Sequence, residues 1–115
     1  MNHEFLDYIE DILDAMVKAE TLLADVDFAQ FESDYRINFA VVRALEIIGE
    51  ATKRLPEALR EQYPDLPWKD MAGMRDRIIH GYDDINFRVV WDTVKIRIPT
   101  IKPKVKQILD DYKGM

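Results

Sequence analysis

The chain has 115 residues, of which 48% are hydrophobic and 33% are charged, a balance typical of a single globular domain spanning 1–115. It has no cysteine and two histidines, which excludes disulfides and a cysteine nucleophile, and we expect neither a metal nor a cofactor. An N-terminal region that is acidic where a signal peptide would be basic, and the lack of roughly 18 consecutive apolar residues, indicate a cytoplasmic protein with no membrane partner. The net charge of −6, taken alone, argues against a protein that binds nucleic acid.

The first half of the chain shows apolar residues at three- and four-residue steps, which predicts helices. A first helix has its core stripe from Phe5 to Leu23. A second runs from about Ser33 to Leu55, with Ser33 or Asp34 near its N-cap. A short third helix is predicted over 56–63. Pro56 suits its first turn, and Pro64 ends it.

The second half is predicted to hold two longer helices. One begins at Pro67 and continues to residue 79 or 80, where Gly81 is placed to terminate it. The last follows a cap at Asn86, and Pro99 and Pro103 must kink or restart it. No segment shows convincing two-residue alternation. The predicted fold is therefore all-α: an antiparallel four-helix bundle with one short additional helix.

Charge is unevenly distributed along the chain. Residues 1–68 hold 6 basic and 15 acidic side chains, a net −9. Residues 69–106 hold 9 basic and 5 acidic side chains, a net +4, and 107–115 contribute −1. This pattern fits either charges scattered over solvated helix faces or an anion-binding region confined to 69–106.

Arg75 is the residue that conflicts most with the helical pattern. Winding 68–80 as one helix places it in the middle of an apolar face formed by Trp68, Met71, Ala72 and Ile79, whereas Arg77 points to solvent. A buried cation is costly unless it is paired. Arg75 is therefore expected to have a partner charge, such as a glutamate of the second helix, or to belong to a site or a subunit interface.

His80 is the candidate for proton transfer. Asp76 precedes it by four residues, so the two side chains can meet on a helix surface and the carboxylate can orient the imidazole. An ordinary helix-end histidine is the alternative. Arg75 and His80 do not share a helix face, and they converge only if the backbone leaves the helix at Gly81 or if a second subunit supplies one of them. Tyr82 follows at a turn that can expose its hydroxyl.

RNA cleavage needs a base for the 2′-hydroxyl and an acid for the leaving oxygen, and one histidine supplies half of that pair. A two-fold dimer would present two copies of His80 and Arg75 across one cleft. Charged residues of the second helix either form a solvated face or line that cleft and pair with Arg75; they are Arg36, Arg43, Glu46, Glu50, Lys53 and Arg54. His3 is expected to be exposed, and Trp68 and Trp91 to anchor the core.

The motif Arg75-Asp-Arg-Ile-Ile-His80-Gly-Tyr82 resembles the R-x4-H-x-Y signature of HepT-like proteins of the HEPN superfamily. The likeness extends in order and spacing to RALEIIGEATKRLPE at 43–57, YPDLPW at 63–68 and the VW-T-V segment at 90–94. Many HEPN motifs have asparagine after the arginine, where this chain has Asp76.

The resemblance implies an α-helical homodimer that acts as a metal-independent endoribonuclease toxin on RNA in a prokaryote. It implies Arg75 and His80 as the catalytic pair, and Tyr82 as the acceptor of AMP from a nucleotide-binding, MntA-type nucleotidyltransferase antitoxin. Asp76, Glu50 and Arg43 are expected to support the site.

Two other readings stay open. In the first, the chain is a non-catalytic helical partner, or substrate-binding subunit, of a nucleotidyltransferase, with the motif as its docking and modification site. In the second, the charged motif only holds a dimer together. The presence of Arg75, His80 and Tyr82 together favours the toxin.

Overall fold

The computed structural model describes residues 3–81 and 84–114. Its elements, in chain order, are α1 (Phe5–Leu23), α2 (Phe28–Ser33), α3 (Tyr35–Lys53), α4 (Glu57–Gln62), α5 (Trp68–Ala72), α6 (Met74–Ile78), β1 (Ile79–Gly81), β2 (Asp84–Ile85), α7 (Phe87–Asp92), a π-helical turn (Thr93–Arg97) and α8 (Ile98–Lys113). The all-α class is confirmed. None of the described helices is long and apolar enough to cross a bilayer.

Three long helices supply most of the core. The stripe predicted along α1 is buried apart from Phe5, which is half-buried, and it packs on α3 and α8. Leu45 and Ile48 of α3 and Val105 and Ile108 of α8 are fully buried against it. Burial of these apolar side chains is what holds the amphipathic helices together.

The second predicted helix is confirmed as α3, but a short helix precedes it. Asp27 caps α2 by accepting a hydrogen bond from the Gln30 N–H, and Asp34 caps α3 by accepting one from the Arg36 N–H. The Asn38 amide, buried in α3, donates to the carbonyls of Phe31 and Glu32 at the end of α2. Two caps seven residues apart thus begin two helices, and the first of these, α2, lies before the predicted start at about Ser33.

The predicted helix over 67–80 is wrong in its second half. It is interrupted at Gly73 (φ −89°, ψ 9°), α6 ends at Ile78, and the chain enters a two-stranded antiparallel hairpin. The Asn86 N–H donates to the Ile78 carbonyl at 2.9 Å, so the hairpin satisfies a carbonyl that the helix leaves open. Gly81 lies in β1 and does not terminate the helix. The described part of the chain accordingly has more and shorter helices than the four main helices and one short helix that the sequence predicts.

The expectation that proline disturbs the last helix is confirmed at Pro99 only. Proline lacks an N–H and its ring crowds the carbonyl four residues earlier, which here is Lys95. The π-helical turn lies at that point and widens the helix, whereas α8 continues through Pro103. The Lys95 ammonium donates to the Leu23 carbonyl at the end of α1 at 2.8 Å.

Trp68, Trp91 and His3 all pack against other parts of the chain. Trp68 is buried, and its indole N–H donates to the carbonyls of Arg60 and Tyr63. Trp91 packs edge-on against Phe28, so both tryptophans are packing residues as expected. The expectation for His3 is wrong: it is half-buried, because its ring packs against neighbouring aromatic rings, those of Phe5 and Tyr112.

Gly49 sets how closely α3 approaches the chain at the Gly73 interruption. A Cβ added at Gly49 would lie 3.4 Å from the carbonyl oxygens of both Met71 and Ala72 and 3.7 Å from the Arg75 nitrogen. A methyl group fits at that distance as ordinary contact, but a branched side chain does not. The close approach of α3 therefore fixes where the Arg75 backbone lies.

We expect Gly49→Ala to stabilise the fold by about 0.5–1 kcal/mol, because glycine is unfavourable inside a helix. Gly49→Val should destabilise it by about 1–3 kcal/mol, because the added methyl groups crowd the α5 carbonyls. Urea unfolding measures both. Ala58→Val, at an exposed position of α4, is the control, and an equal loss at positions 49 and 58 would contradict the close approach.

Candidate active site

Arg75 lies at the border of the core and not in its middle. The buried face of this region runs through Met71, Met74 and Ile78, so the side chain of Arg75, the second residue of α6, reaches the surface with 51% of its area exposed. The expectation of a centrally buried arginine is therefore wrong. It overlooked Met74 and Ile78, and it counted Ile79, which belongs to β1, as helical.

Glu46 is the partner of Arg75. Its Oε2 lies 3.7 Å from Arg75 Nε, and Glu46 is only 24% exposed, so it is the better shielded member of the pair. The partner is thus a glutamate of the second predicted helix, now α3. The Asp76 carboxylate lies 3.8 Å from Arg75 Nη1 on the solvent side, where it is well exposed. Arg75 is held loosely between two carboxylates and keeps an open face.

Arg43 and Glu50 pair with each other instead of with Arg75. Arg43 Nη1 lies 3.5 Å from Glu50 Oε1, and both side chains are more than half exposed. Steps of three and four residues from Glu46 place them one turn to either side of it on the same face of α3. They border the position of Arg75 without touching it among the described contacts.

Asp76 and His80 do not lie on one helix, contrary to expectation. α6 ends at Ile78, and the His80 backbone belongs to β1, so the two residues are not one helical turn apart. The side chain of His80 and the whole of Tyr82 lie outside the described residues. The backbone does leave the helix between Arg75 and His80, as convergence requires, but it does so after Ile78 and not at Gly81.

Asp70 and Arg97 complete a second charged group that the sequence analysis missed. Arg97 Nη2 donates to Asp70 Oδ2 at 3.1 Å, and Arg77 Nη1, expected to be merely solvated, lies 3.9 Å from Asp70 Oδ1. Residues 70 and 97 are too far apart in sequence for any local pattern to connect them. Within residues 3–81 and 84–114, moreover, no three histidine, aspartate or glutamate side chains gather as a metal site would require.

One face of α3 joins this region to an exposed aromatic pair. Tyr35 and Phe39 are about two-thirds exposed, and their rings lie 6.1 Å apart in an edge-on arrangement. Steps of four and three residues continue the same face to Arg43, Glu46 and Glu50. Beside it, an open groove of about 700 Å³ runs along the surface where α1 and α3 meet, with Ala15, Leu22, Ala40, Ala44 and Ile47 among its lining residues. We call Tyr35, Phe39, Arg43, Glu46 and Glu50 the α3 stripe.

Comparison with known proteins places the chain in a family. The profile described as Ribonuclease HepT-like matches residues 12–108. A probable ribonuclease HepT of Thermococcus cleftensis is 43% identical over 108 residues, covering 94% of this chain and 98% of that protein. Putative RNases of Methanocaldococcus jannaschii (38% over 112 residues, covering 97% and 87%) and Caldanaerobacter subterraneus (42% over 106 residues, covering 92% and 95%) are also similar. No solved structure matches the chain closely.

Proposed function

The chain belongs to the HepT-like ribonuclease family, and from that premise we propose that it is a metal-independent endoribonuclease with Arg75 and His80 as its catalytic residues. The observation that supports this most is the position of Arg75. Its guanidinium is half exposed, is held from one side by Glu46, and belongs to the helix that leads directly into β1, which contains the His80 backbone. A cation held in this way is suited to a phosphate.

The reaction that suits these groups is transfer within the RNA backbone. His80 accepts the proton of a 2′-hydroxyl while that oxygen attacks the adjacent phosphorus. The bond from phosphorus to the 5′-oxygen breaks, and a second protonated imidazole supplies the proton that this leaving oxygen needs. The products are a cyclic phosphate and a free 5′-hydroxyl, and Arg75 stabilises the charge that builds on the phosphate oxygens.

Asp76, Arg43 and Glu50 act in this proposal as supporting residues. Asp76 reduces the positive charge of Arg75 from the solvent side, where many HEPN motifs have a neutral asparagine. Arg43 and Glu50 neutralise each other beside Glu46, which leaves Glu46 to Arg75.

Removing either catalytic side chain should abolish cleavage of RNA in EDTA. We expect His80→Ala and Arg75→Ala each to lower the rate by about 10²–10⁴-fold, the range of a lost acid–base group or oxyanion contact. His3→Ala and Lys106→Ala are matched controls that should retain the wild-type rate. Cleavage that survives either catalytic substitution, or that depends on an added divalent ion, would contradict this mechanism.

We propose that the protein is a homodimer, since one His80 supplies only half of the acid–base pair. The α3 stripe supports this: its aromatic end has the exposed apolar area of an interface, and its charged end holds Arg75. Two copies packed about a two-fold axis through this stripe would face each other with both motifs in one cleft.

Phe39→Asp should convert the dimer to a monomer, because it buries two opposed carboxylates at the axis. Sedimentation velocity is expected to show half the wild-type mass, with a parallel loss of RNA cleavage. Val17→Asp, on an exposed valine of α1, should remain dimeric and active. A wild-type chain that is monomeric at working concentration and still cleaves RNA would exclude the shared site.

We propose further that the protein is the toxin of a prokaryotic toxin–antitoxin pair, silenced when an MntA-type nucleotidyltransferase moves AMP from ATP onto the Tyr82 hydroxyl. That hydroxyl attacks the α-phosphate of ATP, and pyrophosphate leaves. The modification adds negative charge and bulk two residues from His80, and it would repel the RNA backbone as phosphorylation does.

Intact-mass spectrometry after co-expression with such a nucleotidyltransferase tests this regulation. The chain should gain whole AMP units and lose RNA cleavage. Tyr82→Phe should remain unmodified, whereas Tyr8→Phe should be modified like the wild type. An unchanged mass with an active nucleotidyltransferase would contradict the proposal, and the nuclease assignment would be unaffected.

A further inference from the structure

An acidic protein that acts on RNA must concentrate its few available cations where the polyanion passes. Segment 69–106 carries the net +4, but most of its basic side chains already have a structural partner. The Lys102 ammonium pairs with Glu20 at 2.6 Å, Lys104 donates to the Asp65 carbonyl, and Lys95 donates to the Leu23 carbonyl. In addition, Arg88 lies over the Phe28 ring, 3.9 Å from its centroid.

Arg77 and Arg97 are different, because two guanidinium groups share one carboxylate. Only Arg97 is within hydrogen-bond distance of Asp70, while Arg77 stands off at 3.9 Å. Among residues 3–81 and 84–114, neither arginine has a second acidic partner. Arg77 is 51% and Arg97 41% exposed. The trio keeps a net charge of +1, and Arg97 Nη2 is the only one of its guanidinium nitrogens that has a hydrogen-bond acceptor among the described residues.

The surroundings of the trio favour a phosphate at the surface. Between the arginines is a shallow depression of about 20 Å³, enough for a single water molecule and too small for a base or a sugar. Its lining is mostly apolar: Met71, Met74, Ile78, Val89 and Ile101. An apolar floor lowers the local dielectric and strengthens the attraction between the guanidinium groups and an anion above them.

The trio also has a defined position relative to Arg75. Arg75 and Arg77 are two residues apart on α6, which directs them to opposite sides of that helix. Arg75 faces Glu46 of α3, and Arg77 faces Asp70 and the π-helical turn. A helix with its side chains is about 10–12 Å across. A single strand crossing α6 would therefore reach both places within a few nucleotides.

We propose that Arg77 and Arg97 form a second phosphate subsite for RNA, distinct from the site of the reacting phosphate at Arg75. Asp70 holds both arginines in place until the RNA backbone binds. A phosphate takes the place of the shared carboxylate, so Arg97 exchanges one charge-assisted hydrogen bond for another, and Arg77 gains one in place of its 3.9 Å ion pair. The inference rests on the proposed ribonuclease function. Its role is binding, and it leaves the chemical step to the residues already described.

Equilibrium binding to a 2′-O-methyl RNA oligonucleotide, which has no free 2′-hydroxyl to react, tests the subsite apart from catalysis. Arg77→Ala and Arg97→Ala should each weaken binding by roughly three- to tenfold. Each should also flatten the slope of log affinity against log salt by about 0.7, the value for one phosphate contact on a single strand. Asp70→Asn should tighten binding, because it removes the competing carboxylate.

Matched controls separate local contacts from general charge. Lys106→Ala removes the same charge from another face of α8, and Asp110→Asn neutralises an exposed carboxylate; both should bind like the wild type. With unmodified RNA, the arginine variants should raise KM and leave kcat unchanged. Arginine variants that bind no more weakly than Lys106→Ala overturn the subsite, as does Asp70→Asn that fails to tighten binding. Normal RNA binding with loss of a co-purifying protein would assign the trio to a protein interface and overturn it too.

The outcomes also separate the ribonuclease mechanism from the phosphate subsite. If the expected binding pattern appears but neither the wild type nor any variant cleaves RNA, the ribonuclease mechanism is wrong and the phosphate subsite is retained. If RNA is cleaved through Arg75 and His80 but binding ignores Arg77 and Arg97, the mechanism stands and the subsite fails.

Discussion

The close approach of α3 to the chain at the Gly73 interruption is the constraint that positions Arg75 and Glu46. Because Gly49 has no side chain, the α3 backbone lies against the carbonyls of Met71 and Ala72. That contact brings Glu46 within reach of Arg75 and leaves the guanidinium at the border of the core. The weak ion pair does not hold the helices together; the packing does, and the ion pair only orients a side chain that the packing has already placed.

The fold follows from the sequence wherever one apolar stripe decides it. The apolar faces of α1, α3 and α8 have regular three- and four-residue steps, and each is buried over most of its length; Phe5 of α1 and Ile37 and Ala40 of α3 are half-buried. The pattern fails over 67–81 because contacts with other parts of the chain override it there. The α3 backbone packs closely against the chain at the Gly73 interruption, and the Asn86 N–H donates a hydrogen bond to the Ile78 carbonyl, which ends the helix in a hairpin. Neither contact leaves a local trace in the residues around Gly73.

The site divides in the same way. The motif residues are visible in the sequence because they lie within eight positions of one another, and a glutamate partner for Arg75 follows from the cost of an unpaired cation. The choice of Glu46 over Glu50 depends on how α3 is rotated against α6, which the four-residue step between the two glutamates does not determine. Asp70 and Arg97 belong to helices that meet only in the folded chain.

Because of the π-helical turn, the number of residues just before Pro99 determines how the two helical segments on either side are rotated relative to each other. A π turn is an α-helix that has absorbed one extra residue, and that residue rotates everything before it by about 100° relative to everything after it. Lys95, which reaches α1, and Arg97, which reaches α5, both stand inside this turn. Loss of a single residue there would restore a regular helix and turn one of these contacts away from its partner. Relatives of this chain should therefore vary in length at their loops and termini before they vary between Val94 and Ile98.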